Sequence, residues 1–168
     1  MTYWKDAFCR SIDPDLVPLS AFEFGPPATE KELAALESAM DARIPEDLRA
    51  LLCEFNGVTY RQNDYYEPYF LSTSEIPNAT EMYREWGVKT KVLIECSQNM
   101  MYLCQENGFS EMWGMVIRPF SQFEYGQIIA FDHDYLDEDV TVEELFSSPY
   151  SSLVELVETT WKYSRKRT

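Results

Sequence analysis

The chain has 168 residues, which fits one domain with a substantial hydrophobic core. An apolar fraction of 45% with 15% aromatics excludes a disordered chain, and no run of 18 apolar residues is present to cross a bilayer. The formal charge of −15 argues against a nucleic-acid or anionic-membrane surface, which would need Lys and Arg, and favours encounter with basic proteins.

The opening Met1-Thr2-Tyr3-Trp4-Lys5-Asp6 lacks the basic and apolar regions of a secretory signal, so a cytoplasmic protein is expected. Residues 1–24 carry Phe8, Ile12, Leu16 and Leu19, the makings of a short helix and an arm packed on the domain. Gly25-Pro26-Pro27 punctuates the chain, and the domain is expected to span 25–161. Thr29-Glu30-Lys31-Glu32 is a capping-box pattern, followed by Leu33, Leu36 and Met40 at helical spacing. This helix should run to about Asp41. Pro45 suits the first position of a second helix, with Leu48, Leu51, Leu52 and Phe55 as its apolar stripe and Asn56-Gly57 as its end.

Beyond Gly57 the pattern changes. Val58 to Tyr60 and Tyr69 to Leu71 read as short strands around a loop from Arg61 to Pro68. Asn78 is placed to cap a third helix, which Gly87 stops. Val92 to Cys96, Met100 to Cys104, Met112 to Arg118 and Gln127 to Phe131 read as strands with links too short for helical crossovers, hence antiparallel. Thr141 to Glu144 is a second capping-box pattern, and a last helix is expected from about Ser151. Helices, then strands, then a helix indicate an α+β fold with a mainly antiparallel sheet flanked by helices. Residues 162–168 are a basic tail with Lys162, Arg165, Lys166 and Arg167.

Motifs for chemistry are scarce. Cys9, Cys53, Cys96 and Cys104 have no zinc-knuckle spacing and read as buried free thiols. His133, the one histidine, stands between Asp132 and Asp134, and no nucleophile motif accompanies it. Asp132, Asp134 and Glu143 resemble part of a calcium loop, but Leu136 and Asp137 break the pattern where a ligand and a turn glycine belong. None of the six glycines falls in a phosphate-binding motif. No catalytic residue, metal ligand or cofactor is therefore assigned.

The distribution of charge is more informative. From Pro119 to Trp161 there are ten carboxylates and no Lys or Arg. Asp132, Asp134, Asp137, Glu138 and Asp139 are the expected partner-binding residues, with Glu124, Tyr125, Tyr65, Tyr66 and Glu67 as secondary candidates. The tyrosines sit in expected loops, and exposed aromatics beside polar groups are what protein interfaces use. Trp113 and Phe123 share that region, with core packing as the alternative use of these rings.

One stretch carries a family resemblance. A small-residue turn at Gly25-Pro26-Pro27 leads into an acid–Leu helix. The step Ile44-Pro45-Glu46-Asp47 follows, then a second helix ending at Asn56-Gly57. This order resembles the opening of a SUKH-superfamily domain of the Smi/Knr type. Looser likeness extends over residues 22–161, including Ile129-Ala130-Phe131-Asp132 and Thr141 to Val157. Departures are Val58, where many members carry a second glycine, and the 98–127 section, which lacks the family's frequent Gly-Asp pair.

The resemblance implies a single α+β domain with a curved sheet, helices on one side and no enzymatic activity. Bacterial members commonly serve as immunity proteins against polymorphic toxins, many of them nucleases; others are interaction modules. The expected function is thus an immunity protein that occludes a cognate toxin or other basic protein with its acidic surface, as a monomer or weak homodimer. A regulatory or scaffolding module without a toxin is the alternative. A hydrolase using scattered carboxylates and His133 is a third reading.

Overall fold

The computed structural model describes residues 3–12, 14–15, 17–62, 65–86, 98–105, 111–132, 141–148 and 150–163. Helix α1, Tyr3–Ser11, presents Trp4, Ala7, Phe8 and Ser11 at helical spacing, and these are its buried residues. The Phe8 ring meets Phe22, Phe24 and Tyr69 edge-on at 5.3, 5.3 and 5.6 Å. The first amides of α1 lack intrahelical acceptors. The Glu54 carboxylate supplies them, accepting from Trp4 N–H at 2.9 Å and Lys5 N–H at 2.6 Å.

A single 3₁₀ turn, Leu19–Ala21, leads into β1, Phe22–Phe24. Helix α2, Glu30–Met40, has the capping box read from its sequence. Thr29 Oγ1 accepts the Glu32 N–H, and Glu32 accepts the Thr29 N–H at 2.7 Å. It stops at Asp41, which is left-handed at φ 49°. The Arg118 guanidinium closes this end, donating to the carbonyls of Met40, Asp41 and Gln98. A cation there also suits the negative end of the helix dipole. Helix α3 is Glu46–Glu54. Pro45 precedes it as N-cap rather than occupying the first helical position. Its ψ of 145° is extended, and its carbonyl accepts the Arg49 N–H at 2.9 Å.

The corner that follows α3 needs two glycines. Gly57 has φ 90°, where an added Cβ is strained. Gly25 donates its N–H to the Gly57 carbonyl at 2.9 Å. A Cβ on Gly25 would lie 2.2 Å from the Asn56 carbonyl oxygen, so only glycine allows the two backbones to approach.

Strand β2 is Val58–Gln62 and β3 is Tyr65–Phe70. Both run through the segment expected as a loop: Arg61 pairs with Tyr66 and Gln62 with Tyr65. Pro68 is accommodated beside a register shift at Val58/Thr59. Helix α4, Glu75–Trp86, begins before Asn78, so Asn78 does not cap it. Ser72 and Glu75 do: the Ser72 N–H and hydroxyl donate to Glu75 Oε2 at 2.8 and 2.6 Å. Pro77 is tolerated in the first turn, where its missing N–H is not needed. The strand expected at Val92–Cys96 and the stop at Gly87 lie outside the described residues.

The remaining elements are β4, Met100–Gln105; β5, Glu111–Val116; β6, Ile128–Asp132; α5, Val142–Leu145; β7, Phe146–Ser147; and α6, Leu153–Tyr163. The seven strands form one sheet in chain order, β1 to β7, and each pair is antiparallel. With helices before, within and after this meander, the fold is α+β, as the sequence indicates.

Alternation along the strands divides the core in two. Met101, Leu103, Trp113, Met115, Ile128 and Ala130 join the large cluster with residues of α1, α2, α3 and α6. Met100, Tyr102, Met112, Val116 and Ile129 face a smaller cluster closed by Phe120, Phe123, Leu145 and Phe146. Trp113 and Phe123, 2% and 4% exposed, are therefore core rings and not interface anchors. α1 packs against α6, with Arg10 and Glu158 paired at 3.3 Å on the surface. Of the thiols, Cys104 is buried as expected, Cys9 is half-buried and Cys53 is exposed; Cys96 lies outside the described residues. Cys53 departs from expectation because it falls opposite the Leu48–Leu51–Leu52 stripe of α3.

Candidate functional site: an acidic cleft

Three segments meet at an open cleft of about 890 Å³. They are the start of α3, the 124–127 turn before β6, and Ser148, Tyr150, Ser151 and Glu155 around the start of α6. Buried Pro45, Met115 and Tyr150 contribute to its lining. Glu46, Asp47, Glu124 and Glu155 supply carboxylates, and among the described residues no Lys or Arg lines the cleft, although the charge of Arg43 reaches Tyr125 from beside it.

Local rules place those carboxylates. Glu46 and Asp47 lie in the first turn of α3 and Glu155 in that of α6, where unpaired amides favour negative charge. Glu155 accepts the Ser151 N–H and hydroxyl, both at 2.7 Å. These bonds, the hydroxyl's first, hold its carboxyl below the ordinary value of 4.5. The carboxylates of Glu46, Asp47 and Glu124 make no hydrogen bond or ion pair with other described residues.

The turn is braced independently. Gly126 adopts φ 83° and donates its N–H to the Val116 carbonyl at 2.8 Å. Gln127 accepts the Glu124 N–H at 2.9 Å and donates to Ser148 Oγ at 2.8 Å, while Ser148 donates to the Ile128 carbonyl at 2.9 Å. Tyr125 projects from this support and is 49% exposed, as expected from its loop position. Its hydroxyl donates to the Arg43 carbonyl at 3.4 Å. Partial burial, then the nearby charges of Glu46 and Glu37, push its phenol above the ordinary value, against the pull of Arg43.

Of the residues singled out from the sequence, Glu124 and Tyr125 come together in this cleft. Asp132 ends β6, with its backbone opposite Glu111. Tyr65, Tyr66 and Glu67 open β3 and so lie in a strand instead of the expected loop. Antiparallel register puts the start of β3 and the end of β6 at one end of the sheet, and the 124–127 turn at the other. The sheet thus does not bring these two groups together. Asp134, Asp137, Glu138, Asp139 and His133 lie outside the described residues.

Sequence reasoning missed Glu46, Asp47 and Glu155 as site residues. The available signal was an acid in the first turn of each helix, and nothing local brings α3 beside α6. Among the described residues, the cleft lining holds no His, Cys or Lys to form a nucleophile–base pair. Among the described residues, no group of three His, Cys, Asp or Glu side chains is placed to hold a metal, and no helix is long and apolar enough to cross a membrane.

No curated protein shows significant similarity to the chain. A family match does exist, and it covers the α2–α3 pair, strands β2 to β7 and the capped α5. Residues 27–151 match the model of the SMI1 / KNR4 family (SUKH-1), and the chain belongs to that family.

Proposed function

We propose that this protein is a non-catalytic cytoplasmic immunity protein that binds a cognate bacterial toxin and occludes its active site with an acidic surface. The observation that carries this reading is the cleft, which four carboxylates line with no Lys or Arg among the described lining residues. A nuclease toxin must present Lys and Arg to hold a phosphate backbone. Carboxylates at two helix starts and in the 124–127 turn would mimic that phosphate, and half-exposed Tyr125 offers an aromatic contact beside them. Membership of a family of immunity and interaction domains supports protein binding over catalysis.

The test begins with co-purification from native cells and mass spectrometry, followed by growth protection when partner and protein are co-expressed. Protection lost in a Glu46→Gln/Asp47→Asn/Glu124→Gln variant that remains folded would support the cleft. Unchanged protection there, with loss in an Asp137/Glu138/Asp139→Ala variant, would move the site to the 132–139 segment. A partner without toxicity would replace the immunity reading with a regulatory or scaffolding one. An activity found by substrate screening and lost in His133→Ala would overturn the non-catalytic assignment.

A further inference from the structure

We draw no further inference here: the strongest candidate, the open acidic cleft between the start of α3, the 124–127 turn and the start of α6, belongs to the site already described, and beyond its carboxylates at two helix starts nothing among the described residues points to a particular occupant.

Discussion

The Thr80 hydroxyl pins α4 to the backbone of β4. It accepts the Tyr102 N–H at 3.1 Å and donates to the Ile76 carbonyl at 2.8 Å, with Thr80 only 1% exposed. The bond falls where the β4–β5 register shifts between Tyr102 and Cys104, a place where ladder bonding is interrupted. Thr80→Val keeps the shape but removes the acceptor from a buried donor, a change that costs about 1–3 kcal/mol. Thr80→Ser keeps the hydroxyl. Urea titration should show a lower midpoint for Val than for Ser with similar slopes; equal midpoints would remove the bond's importance.

Glu54 acts as an N-cap supplied from another helix, since its carboxylate takes the first amides of α1. Glu54→Ala should lower stability by about 1 kcal/mol, the usual scale for losing a cap. The loss should be local. Amide exchange at Trp4 and Lys5 should accelerate while that of Leu51 and Leu52 follows global stability alone. Uniform acceleration across both helices would contradict this assignment.

Three carboxylates at helix starts titrate with the fold. Hydrogen bonds from Thr29, Thr141 and Ser151 hold Glu32, Glu144 and Glu155 below their ordinary value of 4.5. A carboxyl lowered in the folded state contributes stability above its unfolded value and loses that contribution as pH falls through its folded value. The caps should therefore hold at neutral pH and weaken below about pH 4.5. Glu32→Gln should be less stable at pH 7, with a shallower acid limb in thermal melts between pH 5 and 2; an unchanged limb would show that the box contributes little.

Association should report on the cleft as well as on protection. Charges at an interface rim mainly steer encounter. Neutralising Glu46, Asp47 and Glu124 should slow association with a basic partner by roughly tenfold at low salt and flatten its salt dependence. Removing three exposed carboxylates elsewhere, such as Glu30, Glu81 and Glu143, controls for net charge. Stopped-flow rates that fall equally in both variants would mean that overall charge, not the cleft, guides the encounter.

Much of this fold is legible because its signals are local. Thr29 with Glu32, and Thr141 with Glu144, specify helix starts within four residues. Gly57 marks a positive φ without reference to the rest of the chain. The α4 start was misplaced because Asn78 is a good cap in isolation, whereas Ser72 and Glu75 form the competing cap three residues apart. The Arg61–Pro68 segment looked like a loop because a bulge that tolerates Pro68 is a property of strand pairing. The site is less legible still. Glu124 and Tyr125 stand out in an acidic stretch, but Glu46 and Glu155 become their neighbours only when α3 and α6 pack on the same sheet face.

The packing of α1 on α6 also sets an order of events during synthesis. Among the described elements, α1 leaves the ribosome first and α6 last. At roughly 5–20 residues per second, the first helix waits on the order of ten seconds for its partner. The face of α1 that packs on α6 lacks that cover throughout the interval. Stalling translation before residue 153 should therefore leave α1 far more sensitive to protease than it is in the released protein.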